Sequence, residues 1–254
     1  MPAPKAFEKW MLLLLFGFLW DFGVVATLYG SLPNPQKLIR GVKIERTASD
    51  GSIFSFVAGP KNRHYVTLDH IPSILQSAII YLEDGKFYFH RGFDLEEMAN
   101  AIWSAIYSHN RLRGASTISQ QLVKNLYLSP ERSFRRKIVE ALITIKLEFF
   151  LSKPKILELY LNSIDWGQGL FGISEAAWHY FHKAPEELNV KESVFLAAIV
   201  PNPSRFGRLD DELLIPKRFA RRQMVRALDY LYHTNQISIE EYRGAIEFAG
   251  PAHE

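Results

Sequence analysis

Between Lys9 and Lys37 the chain carries one charge, Asp21, in an otherwise almost unbroken apolar run from Trp10 to Leu32. At about 1.5 Å per residue, a helix of that length crosses a hydrocarbon core of roughly 30 Å. The run therefore predicts a membrane-spanning helix over 10–32, preceded by a short amino-terminal segment, 1–9. A cleaved signal peptide is the alternative, because Val24-Val25-Ala26 offers small residues for cleavage, although the run outlasts an ordinary signal h-region. Near mid-bilayer Asp21 would cost roughly 2.5 to 3.5 kcal/mol unless paired or protonated. Lys5 and Lys9 sit close to one end, while Pro33-Asn34-Pro35 separates the other end from the next cation. The positive-inside bias then puts the amino terminus in the cytoplasm and the remainder outside.

The 254 residues suffice for one full domain and an appendage, and 48% hydrophobic with 22% charged residues describes a folded chain. There is no cysteine, which excludes disulfides, a thiolate nucleophile and cysteine-ligated zinc. The net charge of +3 is unevenly placed: ten Lys/Arg against three Asp/Glu between Arg111 and Lys155 give +7 there and leave −4 elsewhere. A local positive field of this kind suits a phosphate, a nucleic acid or an anionic membrane surface. No zinc-finger, RNP-type or basic-zipper pattern accompanies it, and with the apolar anchor this argues against nucleic acid.

Residues 33–65 read as a linker and a hairpin: Val42–Arg46 and Ile53–Val57 alternate on either side of Asp50-Gly51. From there the pattern is helical, over 66–250. Ile71, Ile74, Leu75, Ala78, Ile79 and Leu82 keep helical spacing and deliver Glu83 and Asp84 at the carboxyl end. Asp94 with Glu97, and Thr117 with Gln120, are N-cap signatures for helices ending near Asn110 and beginning at 118. Between them, His109 to Gly114 is a basic, polar linker and a candidate mobile loop. A helix from about Glu131 to Leu151 carries the apolar stripe Ile138, Leu142, Ile145 and Phe149. Further helices are expected near 154–161, 173–182, 191–199, 216–234 and 238–248, with a glycine-rich loop from Asn162 to Gly172.

Candidate chemistry concentrates between Glu83 and Glu140. Phe87 and His90 follow Glu83 closely, and an apolar wall beside a carboxylate raises its pKa towards the range of a useful base. Thr117, Gln121 and Lys124, at i, i+4 and i+7, place a hydroxyl, an amide and an ammonium on one helix face, suited to a phosphate or sugar. Arg136 and Glu140 lie one turn apart with Lys137 beside them. Read locally they are an ordinary surface pair worth about 0.3 to 0.5 kcal/mol, or a contact to lipid headgroups. His179-x-x-His182 lacks a nearby third ligand, and reads as a surface pair rather than a metal site.

Taken together these segments resemble the peptidoglycan glycosyltransferase domain, glycosyltransferase family 51, of penicillin-binding proteins and their monofunctional relatives. The family's Glu-Asp-x-x-Phe-x-x-His-x-Gly is met by Glu83, Asp84, Phe87, His90 and Gly92. Its Gly-x-Ser-Thr-Ile-x-Gln-Gln-x-x-Lys-Asn is met from Gly114 to Asn125 and includes Ser116. Its Arg-Lys-x-x-Glu is met by Arg136, Lys137 and Glu140, with Glu148 following; Thr144 stands where alanine is commoner. A fourth motif runs from Ile156 through Asn162 and Gly172 to Phe181, and a looser fifth from Glu192 to Pro203.

The resemblance implies a mainly helical, all-α fold with a lysozyme-like head and a smaller jaw next to the membrane. It also implies a monofunctional enzyme of the bacterial inner membrane, its site on the periplasmic side, that polymerises lipid II with inversion into β-1,4-linked glycan. Glu83 would be the base. Lys124, Arg136 and Lys137 would neutralise the donor diphosphate, and Thr117 and Gln121 would position it with Ser116 and Asn125. Glu140 would orient those cations or a divalent ion, magnesium or manganese, with no cofactor otherwise required. Asp84 and His90 would support Glu83. Partners would be lipid II, the growing lipid-linked glycan, the membrane, and penicillin-binding transpeptidases or the division and elongation machinery. The alternatives are a lysozyme-like muramidase or lytic transglycosylase, which has no diphosphate to neutralise, and a non-catalytic scaffold that binds cell-wall precursors.

Overall fold

The computed structural model describes residues 30–47, 53–108, 116–128, 133–167, 169–203 and 218–249. The expected spanning helix and the Asp50-Gly51 turn fall almost wholly outside these residues, as does the basic linker 109–115. Among the described residues no helix is long and apolar enough to cross a membrane. Every helix and strand from Lys37 onward belongs to one compact unit that begins at Pro35.

A one-turn helix, α1 (Lys37–Arg40), precedes the only sheet among the described residues, two antiparallel strands, β1 (Val42–Thr47) and β2 (Ile53–Ala58), with Ile44 opposite Phe56. Among the described residues every helix or strand element after a 3₁₀ turn at Leu68–His70 is helical. The helices are α2 (Ser73–Glu83), α3 (Leu95–Ser108), α4 (Ile118–Tyr127), α5 (Phe134–Phe150), α6 (Lys153–Leu161), α7 (Ile173–Phe181), α8 (Val190–Ile199), α9 (Arg218–His233) and α10 (Ile239–Ala249). The expectation of a nearly all-helical chain with one hairpin therefore holds.

Local sequence explains the helix starts. Thr117 and Gln120 form a reciprocal capping box at α4, the Thr117 hydroxyl accepting from the Gln120 N–H at 3.2 Å and the Gln120 amide oxygen accepting from the Thr117 N–H at 3.1 Å. Asp94 caps α3 by accepting from the Glu97 N–H at 2.9 Å. Ser133 caps α5 by accepting from the Arg136 N–H at 3.1 Å, so this helix begins later than its apolar pattern alone suggests.

The core is built around α8, in which every residue from Glu192 to Ile199 is buried, as expected for a helix without a solvated face. Helices α2, α9 and α10 pack against it, and α9 also packs against α2, where Tyr81 and Tyr230 stack at 4.3 Å. A second group joins α4 to α5 and α6. Tyr65, Val66 and Leu68 are pinned to α6 and its cap: Glu158 accepts from the Tyr65 hydroxyl and from the Leu68 N–H (3.0 Å), and Asn162 bonds both backbone groups of Val66 at 2.8 Å.

The apolar stripe of α5 is not its buried face. Ile138, Ile145 and Phe149 of that stripe are 47%, 50% and 78% exposed, and Phe134 on the same side is 82% exposed. The buried face carries Glu140, Ile143, Thr144, Lys146 and Leu147 instead. Polar partners on α4 set this rotation. Glu140 meets the Gln120 amide, Glu148 accepts from the Ser119 hydroxyl, and neither carboxylate could be buried unpaired.

Gly92 shows how tightly the loop after α2 lies on α5. Its φ is +89°, and a Cβ there would stand 2.8 Å from the Thr144 methyl and 3.1 Å from Glu148 Cγ. Thr144 cannot swing away, because it is fully buried and donates its hydroxyl to the Glu140 carbonyl at 2.7 Å. Gly92→Ala is therefore expected to lower stability by about 1 to 3 kcal/mol, from left-handed strain plus overpacking, read as a fall in thermal midpoint. An unchanged midpoint would show that the loop can lift without cost.

Candidate active site

Glu83 ends α2 and Asp84 caps it, donating its N–H to the Ile80 carbonyl at 2.8 Å. Asp84 then turns inward. The His90 Nδ1 accepts from the Gly92 N–H at 3.1 Å, so the ring proton sits on Nε2 and is donated to Asp84 Oδ1 at 2.8 Å. Asp84 Oδ2 accepts from the Ile118 N–H at 2.9 Å, placing a carboxylate at the positive end of α4. Through this buried pair the end of α2 and the start of α4 are held as one piece. Glu83 itself is left half-buried at the edge of a cavity.

The Gln121 amide donates to Glu83 Oε2 at 2.8 Å, and its oxygen accepts from the Tyr160 hydroxyl at 3.0 Å. Tyr160 is fully buried, and desolvation, with Glu83 and Asp84 nearby, lifts its pKa well above the usual tyrosine value. It stays a donor, which fixes the Gln121 amide with its nitrogen towards Glu83. Desolvation raises the Glu83 pKa; the Gln121 bond and the Lys124 charge pull it down, and Asp84 adds to the rise. For Lys124 the order is inverted. Desolvation lowers its pKa, Glu140 opposes this, Arg136 and Lys137 add to the lowering, and Glu83 opposes it again. Burial thus shifts the two groups in opposite directions, Glu83 up and Lys124 down, as happens at functional sites.

The cavity at Glu83 measures about 830 Å³ and is lined by Ser116, Gln121, Lys124, Asn125 and Tyr160 on one side of the chain's order, and by residues of α9 on the other. A smaller cavity of about 320 Å³ shares Glu83 and Ser116 with it. Arg136, Lys137 and Glu140 do not line either; they stand behind Lys124, whose charge they influence. Glu140 is buried and paired with the Lys137 ammonium, more loosely with the Arg136 guanidinium at 3.7 Å, and with the Gln120 amide at 3.5 Å. The Arg136 Nε is buried with no partner among the described residues.

Two residues sit differently from their expected roles. Thr117 is buried, and its hydroxyl donates to the Gly92 carbonyl at 2.7 Å while capping α4; it lines the smaller cavity with Glu83 and Ser116, and not the larger one with Gln121 and Lys124. The reason is positional: as N-cap it lies before the first helical turn rather than on it. Phe87 is fully buried edge-on to Tyr88 and His90, with the Lys153 ammonium 4.4 Å above its ring, and lines neither cavity. It supports the loop carrying His90 rather than forming a wall against Glu83.

A divalent ion at Glu140 does not suit the donor set. Both carboxylate oxygens already face cations or an amide donor, and no group of three His, Asp or Glu that could hold a metal occurs among the described residues. Sequence reasoning also missed Tyr160, Arg222 and Arg226 at the cavity. The arginines had a signal, a one-turn spacing on a helix whose other face is Ala220, Met224, Ala227, Leu228 and Leu231.

The Transglycosylase family model matches residues 50–229, most of the chain and all of the site. The chain belongs to the transglycosylase family. A biosynthetic peptidoglycan transglycosylase of Cupriavidus metallidurans is 43% identical over 156 residues, covering 61% of this chain and 66% of that protein. Another, from Shigella boydii, is 37% identical over 224 residues, 87% of each. The penicillin-binding protein 1A of Neisseria flavescens is 42% identical over 176 residues, 69% of this transglycosylase but 21% of that protein. This last likeness concerns about a fifth of the relative's length.

Proposed function

We propose that this transglycosylase polymerises the glycan strands of peptidoglycan, transferring a lipid-linked glycan from its polyprenyl diphosphate to the 4-hydroxyl of lipid II with inversion. The observation that carries the reading is the pair of oppositely shifted groups, Glu83 and Lys124, in one cavity of a transglycosylase-family chain. Glu83 accepts the proton of the acceptor 4-hydroxyl as that oxygen attacks the anomeric carbon. The bond from this carbon to the diphosphate oxygen breaks on the opposite face, and the diphosphate departs with the electron pair. A single displacement inverts the centre and needs no carboxylate nucleophile. Lys124 neutralises the departing charge, with Arg136 and Lys137 behind it. Gln121 holds Glu83, Ser116 and Asn125 offer polar contacts, and Glu140 orients the cations. No step is routed through a metal ion.

The finer architecture belongs to the same proposal: a lysozyme-like head carrying Glu83, a jaw, and a single-pass anchor over 10–32 with the site outside the inner membrane. The exposed apolar side of α5 (Phe134, Ile138, Ile145, Phe149) and the stacked Trp103 and Tyr107 of α3 support work at a lipid surface, where such patches are covered. Penicillin-binding transpeptidases and the division or elongation machinery are the protein partners proposed.

Incubation of the full chain with lipid II should yield glycan polymer. Shortening of preformed glycan without consumption of lipid II would favour a muramidase, and unconsumed lipid II a scaffold.

A further inference from the structure

Arg222 and Arg226, one turn apart on α9, are both exposed and both line the cavity that holds Glu83 and Lys124. Like charges at this spacing repel and weaken a helix unless something opposes them. Among the described residues neither arginine has a carboxylate within ion-pair reach. Arg226 is nonetheless held in place: its Nη1 donates to the Gln223 amide oxygen at 2.9 Å, and its guanidinium lies 5.8 Å from the Tyr81 ring. Tyr81 is itself stacked on Tyr230, so the group is fixed to both α2 and α9. Arg226 also lines the smaller cavity, as do Asp94 and Glu97. It therefore lines both cavities.

We propose that Arg222 and Arg226 form a second anion-binding subsite in the cleft, distinct from the cations of α4 and α5, which grips a carboxylate or phosphate of the sugar-bearing substrate away from the departing diphosphate. Guanidinium forks suit either anion, because both present paired oxygens for bidentate bonding. The assignment rests on the glycosyltransfer reading, in which two lipid-linked substrates enter one cleft. Each brings a diphosphate and a peptide with carboxylates, more anionic groups than Lys124 and its neighbours face. A subsite that grips an anion taking no part in the displacement binds ground state and transition state alike, so its loss is felt in KM rather than kcat.

The test is the double variant Arg222→Gln with Arg226→Gln in the full chain. Polymerisation is measured over a range of lipid II concentrations, with the native peptide and with its carboxylates amidated. KM should rise about tenfold with kcat within about twofold. The thermal midpoint should stay equal or rise, since a repulsion has been removed. A rise in KM confined to the native peptide assigns the anion as a peptide carboxylate; a rise with both substrates assigns it as a phosphate. An unchanged KM with both, in a variant that melts normally, overturns the subsite. If the parent chain polymerises nothing, the glycosyltransfer reading fails separately, and titration of both proteins with inorganic pyrophosphate decides the subsite. Weaker binding by the variant supports it, and equal binding overturns it.

Discussion

Glu83→Gln should lower the polymerisation rate by about 10² to 10⁴-fold, the range that a positioned general base contributes, while KM for lipid II changes little. Glutamine keeps the shape and can still accept from the Gln121 amide, which now reaches Glu83 Oε2 at 2.8 Å. The substitution therefore removes the proton acceptor and little else. It should also stabilise the protein at neutral pH. Because burial raises the Glu83 pKa, the folded chain holds this proton more tightly than the unfolded chain does. The associated stability is present below the ordinary glutamate pKa and is lost as pH rises through the higher folded value. Thermal midpoints of the two proteins should consequently agree in acid and diverge in the variant's favour towards neutrality. Near-normal polymerisation by the variant would remove Glu83 from the base role.

Lys124→Met should cost about 10² to 10³-fold in kcat, comparable with deleting one preorganised donor from a charge-stabilising site. Methionine retains most of the stem but not the ammonium, and charge on the departing diphosphate develops mainly in the transition state. The loss should therefore fall on kcat more than on KM. Arg136 and Lys137 cannot substitute fully, since both are engaged with Glu140 and neither lines the cavity. A muramidase-like enzyme, with no diphosphate to neutralise, would tolerate the change. Single-turnover rates with saturating lipid II separate the two cases.

Most of the helical order was legible because its signals are local. The cap signatures at Asp94 and Thr117 concern neighbours three residues apart, and helices form where they predict. The rotation of α5 was not legible. Its residues repeat at helical spacing on two adjoining faces, and the choice is made by Gln120 and Ser119 on another helix, which need Glu140 and Glu148 as partners. Much of the site was written in the chain as well. Gln121 and Lys124 reach the Glu83 cavity as their shared helix face suggests, whereas Thr117 is spent on capping and Phe87 on packing. Tyr160 carries no local mark of its role, because its bond to Gln121 spans 39 residues of sequence. Arg222 and Arg226 gain meaning only when α9 is laid against α2.

The pH dependence of kcat/KM for lipid II polymerisation tests the central claim most directly, because it reports the free enzyme's acid and base together. A bell is expected. Its acid limb should lie above the ordinary glutamate value, since burial raises Glu83, and its alkaline limb below the ordinary lysine value, since desolvation lowers Lys124. Lys124→Met should abolish the alkaline limb. An acid limb in the ordinary glutamate range, or a profile flat across neutrality with no alkaline limb, would contradict the pairing of Glu83 and Lys124 as base and charge-neutralising group.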